Sequence, residues 1–456
     1  MISVSETLRA KLSVKIKSFC LLAVLIWSTV FFCGCELELA SPESLITPPK
    51  SNQEKLQQKQ LITSFLGREE SLIVPETLDN TNAYQFLDLD EDGVEEIVAF
   101  YTNKESNFTL GFLILDQSDE QWYLRHKVIA YGTDIHYFAV RDLDEDGIAE
   151  ILLGVNTGYG SQKELYLYQM QEQELTEITD GDRITYDQIA LARNEAERDV
   201  LVTARMDTSV LEGSSDITVY GYQHGVMMPL YDETFTGYCG EMRYAKVSSQ
   251  AEGVYLAMRH NHFVNVLLLK ETEEGFAVVM EHPLPYDYED MSSVSLFDDE
   301  NNDGILEIVS LWSPELNDTT KGSEDYIQVW LQWDGEQGLQ AVDAVLESHA
   351  EGYRFSVPLG WMDSLYYDFR SQDTVVWADF YYENGAMEFE TVFSIAAVDQ
   401  LVWDTMEHTD QMVVLGNNPT LNKIYVAEIQ LEEFNGFQVD ASRLISCLQI
   451  EGGERK

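Results

Sequence analysis

Three short stretches hold most of the side chains that could do chemistry. They are Phe86-Leu-Asp-Leu-Asp-Glu-Asp-Gly-Val-Glu-Glu-Ile97, Val140-Arg-Asp-Leu-Asp-Glu-Asp-Gly-Ile-Ala-Glu-Ile151 and Phe297-Asp-Asp-Glu-Asn-Asn-Asp-Gly-Ile-Leu-Glu-Ile308. Counting from Asp88, Asp142 and Asp299, positions 1, 3 and 5 carry side-chain oxygen, position 6 is glycine and position 9 is glutamate. A hard cation such as Ca²⁺ takes six to eight oxygens at about 2.3–2.6 Å. Alternate carboxylates wrapped round a sharp glycine turn can supply that shell. The predicted side-chain ligands are Asp88, Asp90, Asp92 and Glu96; Asp142, Asp144, Asp146 and Glu150; and Asp299, Asn301, Asp303 and Glu307. Val94, Ile148 and Ile305 follow the glycines Gly93, Gly147 and Gly304 and are expected to offer backbone carbonyls. Crowding these carboxylates without a cation is costly, so the spacing predicts two or three Ca²⁺ sites. The third loop has three carboxylates and is expected to bind weakest. Mg²⁺ fits less well, because it dehydrates reluctantly and wants a rigid octahedron. The expected role is structural, with an affinity near 10⁻⁴–10⁻³ M suited to extracellular calcium.

The residues after each loop exclude one class of site. An EF-hand needs a bidentate glutamate at position 12, where this chain has Ala99, Leu153 and Ser310. Instead each loop runs directly into an apolar, β-branched segment (EIVAFY, EILLGV, EIVSLW), which reads as a strand. The loops start 54 and 157 residues apart, and 157 is close to three periods of about 52. Two eroded copies are therefore expected in Ile189–Thr203 and Tyr244–Met258, which keep the strand (DVLVT, GVYLAM) but lack the acidic loop. A period near 50 with several strands per unit predicts a mainly β, propeller-like repeat array, each unit burying its faces against its neighbours.

The Asp-x-Asp-x-Asp-Gly loop leading into a strand resembles FG-GAP or VCBS-type repeats, found in integrin-like β-propellers and in many bacterial surface proteins. That resemblance implies calcium bound within or between blades. It covers about 40 residues strongly and about 270 weakly, and the Phe-Gly and Gly-Ala-Pro elements that name the family are not recognisable here.

Other candidates for chemistry are thinner. His260 and His262 would share one face of a strand, a possible pair of metal ligands without an identifiable third. Asp287, Glu289 and Asp290 could pair carboxylates for glycoside hydrolysis, although an acidic surface loop explains them as well. Asn156–Gly160 (NTGYG) reads as a turn, because no helix follows it. Trp361, Trp377 and Trp403 could line a carbohydrate or peptide groove or sit in a core. No nucleophile elbow, zinc-protease helix or P-loop occurs.

The elements that carry these loops belong to a 456-residue chain with 80 acidic and 28 basic residues, a net charge of −52. Such a charge repels phosphate backbones and excludes nucleic acid as a partner. Arg9, Lys11, Lys15 and Lys17 precede an apolar run, Phe19–Cys33, too short to span a bilayer. The run ends in Phe32-Cys33-Gly34-Cys35, which resembles the lipobox of bacterial lipoprotein signal peptides. By that resemblance Cys35 carries the lipid. Of the remaining cysteines, Cys239 and Cys447 stand 208 residues apart and give no reason to expect a disulfide. The expected organisation is a signal peptide over 1–34, and a lipid-anchored tether with a short helix (Ser51 to about Phe65) over 35–69. Calcium-binding repeats then fill 70–345, and a small α+β domain occupies 346–456. The function this predicts is a binding or scaffolding module on the outer face of the bacterial cytoplasmic membrane, reaching the membrane only through its lipid. Its partner would be an extracellular protein or a cell-wall carbohydrate. The alternative is a carbohydrate-active enzyme on a propeller scaffold.

Overall fold

The computed structural model describes residues 50–455 apart from 77–81, 91, 104–107, 120, 159–161, 172–173, 180–182, 210–211, 224, 261–262, 285–294, 313–326, 337, 373–374 and 453. The expected signal peptide, Cys35 and the tether lie outside the described residues. A helix runs Lys50–Ser64, on which Ile62 is buried and Leu56 exposed. Contacts separate residues up to Leu66 from a second unit, Gly67–Lys456, which contains all the strands found among the described residues.

That second unit is mainly β. Among the described residues six antiparallel sheets follow one another along the chain, with a small two-stranded hairpin near the end, and none closes into a barrel. Sheets one to five begin at Glu70, Asp134, Gln188, Tyr238 and Phe297, and sheet six at Leu365. In each of the first five, a strand is followed by a hairpin to a second strand: Glu96–Asn103, Glu150–Asn156, Asp199–Asp207, Ala251–His260 and Glu307–Trp312. These second strands are apolar at successive positions because both of their faces are covered. Ile151, Leu153 and Val155 pack with Phe100 and Phe112 of sheet one, while Leu152 between them packs with Leu201 of sheet three. Leu256 and Met258 likewise face sheet three, and Tyr255 and Ala257 face sheet five. Side chains alternate across a strand. A continuous apolar run therefore serves two cores at once.

The two stretches predicted as eroded repeats form hairpins of this same kind. Gln188–Arg193 pairs with Asp199–Asp207 across a five-residue connection, and Tyr238–Ser248 pairs with Ala251–His260 across two residues. In sheets one, two and five the corresponding connection has eight residues and is the acidic loop.

The boundary expected at 345/346 falls inside the strand Leu339–Ser348. Sheet five also takes strands Tyr353–Ser356 and Leu448–Ile450 from beyond that point. The aromatic strands of the tail build sheet six, and its Phe380 and Phe393 share a core with Phe355 and Leu346 of sheet five. Packing therefore continues across 345/346 within the unit Gly67–Lys456. Cys239 and Cys447 are both buried free thiols.

Candidate metal centres

Each acidic loop is a hairpin connection whose own backbone amides fix its carboxylates. In loop one the Gly93 N–H donates to Asp88 Oδ2 at 3.0 Å and the Val94 N–H to Asp92 Oδ1 at 2.8 Å. In loop two Asp142 accepts from the N–H groups of Asp146 (3.1 Å) and Gly147 (2.9 Å), and Asp146 accepts from Ile148 (2.8 Å). Loop three repeats the set: Asp299 accepts from Asp303 and Gly304, both at 2.9 Å, and Asp303 from Ile305 at 2.8 Å. Gly93, Gly147 and Gly304 have φ of 85°, 87° and 82°. A side chain there meets no neighbour within 4 Å at any of the three, so the glycine is needed for the backbone alone. Gly147→Ala is accordingly expected to cost about 1–2 kcal/mol, the left-handed penalty, read as a lowered urea midpoint with unchanged slope.

The glutamate at position 9 is the most constrained of the candidate ligands. Glu96, Glu150 and Glu307 are the first residues of doubly covered strands, and their exposures are 1%, 0% and 0%. Each accepts a backbone N–H from its own loop: Leu89 (2.8 Å), Leu143 (2.9 Å) and Glu300 (2.9 Å). Burial pushes the Glu150 and Glu307 carboxyls up to about 7, against the lowering effect of those amide bonds, and neighbouring aspartates add to the rise. Glu96 is raised for the same reasons, first burial, with Arg125 opposing. At Asp303 desolvation is outweighed by hydrogen bonds from Gln332, Ile305 and Asn301 and by the charge of Lys246, which hold its carboxyl below the usual value.

The structure brings most of the predicted ligands together. Oxygens of Asp88, Asp90 and Glu96 lie within 4.8 Å of one another, as do those of Asp142, Asp144 and Asp146, and those of Asp299, Asp303 and Glu307. Two oxygens each about 2.3–2.6 Å from a shared ion are at most about 5 Å apart, so all three sets fit one Ca²⁺. The donors are all oxygen, the preference of a hard cation rather than of zinc or copper. Asp92 and Glu150 stand outside these closest groups. Asn301 sits at its loop's centre, accepting from the Asp303 N–H at 2.8 Å and donating to Glu307 at 3.3 Å.

Several partners of these loops escaped the sequence reading. Gln169 donates to Glu150 Oε1 at 2.9 Å, and Gln332 donates to Glu307 Oε1 and Asp303 Oδ2, both at 3.1 Å. Arg125 bonds Asp90 across 35 residues of sequence. These contacts arise from strand register, so no local motif announces them. A further group, Glu347, His349 and Glu451, joins a strand end to the C-terminal segment, with His349 80% exposed.

The other candidates part company with the loops. His260 Nδ1 lies 3.4 Å from the Glu212 carbonyl, while His262, Asp287, Glu289 and Asp290 lie outside the described residues. Trp361 and Trp377 are core residues, and Trp403 stacks on His408 at 4.0 Å. No family model matches the chain, and no curated protein matches it. One solved structure that aligns with it is a crystal structure of a protein from Lactobacillus plantarum, a Northeast Structural Genomics Consortium target. It is 8% identical over 72% of this chain and 94% of that chain, with a TM-score of 0.31, and this likeness carries no argument about fold or function.

Proposed function

We propose that this protein is a calcium-stabilised β-repeat module of the FG-GAP/VCBS kind, lipid-anchored through Cys35 on the outer face of the bacterial cytoplasmic membrane, where it binds or scaffolds a partner. One observation carries the reading. Three loops at the same hairpin position of sheets one, two and five converge oxygen donors on a point a single Ca²⁺ could occupy. Calcium there would hold the loop that starts each doubly buried strand, and so fix the strand's register.

A propeller-like arrangement is supported by the shared cores of successive sheets. It is also supported by a cleft of about 990 Å³ lined mainly from the strands that lead into the hairpins of sheets one to four, with Phe86, Tyr137, Leu191 and Tyr244 among them. A binding role is supported by a second cleft of about 690 Å³ between sheets two and three. Its polar wall is prearranged: Arg205 and Thr234 both bond Asp216, and Thr218 bonds Asp232. Such a wall suits a polar partner, an extracellular protein or a cell-wall carbohydrate. Among the described residues no helix is long and apolar enough to cross a membrane.

Two measurements test the proposal. Isothermal calorimetry on residues 36–456 should count two or three bound calcium ions, and a flat trace at millimolar calcium would sink the metal assignment. Cys35→Ser, expressed in a bacterium that processes lipoproteins, should move the protein from the membrane fraction to the soluble one. Unchanged membrane retention would remove the anchor.

A further inference from the structure

The three acidic loops differ in one respect that their sequences hide. In loop one a cation is already present. The Arg125 side chain is 7% exposed, and its Nη1 lies 2.7 Å from Asp90 Oδ2, 3.5 Å from Asp116 Oδ2 and 3.9 Å from Glu96 Oε1. Asp90 and Glu96 are two of the three residues whose oxygens converge in that loop. The Nη2 of the same guanidinium is buried without a hydrogen-bond partner.

We propose that Arg125 is a built-in counter-cation for loop one, so that this loop keeps its shape without calcium and binds the ion more weakly than loops two and three. The inference rests on reading the loops as calcium sites. Its structural cause is a β-bulge. Ile114 pairs with His126 and Leu115 with Leu124, which leaves Arg125 as the extra residue of its strand. A bulge re-aims the side chain it inserts.

The cross-strand neighbours complete the contrast. Glu150 pairs with Gln169, and Gln332 stands opposite Glu307, one step beyond the Ile308–Leu331 pair. By the same step beyond Ile97–Leu115, the residue opposite Glu96 is Asp116. Loops two and three thus have a neutral amide where loop one has a further carboxylate, and Arg125 balances that carboxylate. Arg354, near loop three, pairs instead with Glu300 and Asp343, which are not among its converging ligands. Lys246 acts on Asp303 through its charge, an influence that ranks after the hydrogen bonds from Gln332, Ile305 and Asn301. For Ca²⁺ to enter loop one, it must share Asp90 and Glu96 with a fixed positive charge or displace a buried guanidinium. Either lowers the affinity of that loop alone. The order of affinities then tracks the counter-ions and not the count of carboxylates.

Calorimetric titration of the full chain in detergent with calcium alone tests this. The wild type should fill two sites, with a third at least tenfold weaker or unfilled. Arg125→Gln should bring the third site at least tenfold tighter, and adding Asp88→Ala should abolish that gain. Should Arg125→Gln fail to fold in chelator, Asp116→Asn/Arg125→Gln removes the guanidinium and the carboxylate together and gives loop one the neutral amide neighbour of loop two, and three comparable sites are expected. Unchanged stoichiometry and affinity in the variants, or three equivalent sites in the wild type, would overturn the proposal. A wild type that takes up no calcium would instead overturn the calcium reading beneath it.

Discussion

Calcium at about a hundred times its dissociation constant is expected to raise the melting temperature of residues 36–456 by roughly 5–10 °C over the same protein in chelator. Each filled site adds about 2.7 kcal/mol at that excess, and two or three sites act on one unit of some 390 residues. Glu150→Gln separates a metal site from an acidic turn, because its two effects have opposite signs. In chelator the substitution removes a buried charge, and Gln169 can flip its amide to accept from the new side chain. The metal-free variant should therefore melt above the metal-free wild type at pH 8, being more stable by roughly 2–3 kcal/mol at most. In calcium it has lost a ligand carboxylate, so the calcium increment should shrink by one site's worth. An increment equal to the wild type's would remove Glu150 from the ligand set.

The same buried carboxyls set a pH dependence in the metal-free protein. Folding raises Glu150 and Glu307 from the ordinary value of 4.5 to about 7. Between those values the native state holds more protons than the unfolded one. Stability in chelator should thus fall as pH rises from about 4.5 to 7 and level off above. Calcium needs the ionised form, so its stabilising increment should run the other way, larger at pH 8 than at pH 5. Melting curves with and without calcium across that range check both signs. An increment independent of pH would mean that the buried glutamates do not bind the ion.

How much of this could be read from the chain depends on how local the cause is. The acidic loops were legible because all their candidate ligands fall within nine residues, and the glycine conformation that shapes them is a local need. The hairpins of sheets three and four were legible for a related reason: DVLVT and GVYLAM keep the uninterrupted apolar run that two covered faces demand. Gln169, Gln332 and Arg125 were not legible. They reach the loops through register, and in Arg125's case through a one-residue bulge that no propensity encodes. Sheet six falls in the stretch expected as a small α+β domain because it carries no acidic loop, and its aromatic strands gave no sign of the core they share with sheet five. The pairing of Tyr353–Phe355 with Leu448–Ile450 joins segments nearly a hundred residues apart, which pattern alone cannot foresee.

That shared core makes the second large prediction. Phe393 is fully buried, stacks on Phe380 at 4.5 Å and meets Phe355 and Trp361 at 6.1 and 5.8 Å. Phe355 belongs to sheet five and Phe393 to sheet six, so the ring spans the junction between them. Phe393→Ala should cost about 3–5 kcal/mol from lost burial and the cavity left behind, with part of that from broken ring contacts. How the loss is distributed is more informative than its size. If residues 346–456 folded apart, calorimetry would show two transitions, and the substitution would lower only the smaller. Strand Leu339–Ser348 lies across the supposed boundary, and its Leu346 packs in the same cluster as Phe393. The tail therefore cannot open without uncovering sheet five, and sheet five carries the third acidic loop. Phe393→Ala should accordingly shift one transition that includes the calcium-dependent unfolding, and calcium should restore part of the loss although Phe393 is no ligand. A main transition left at its wild-type temperature would separate the tail from the sheets that carry the acidic loops.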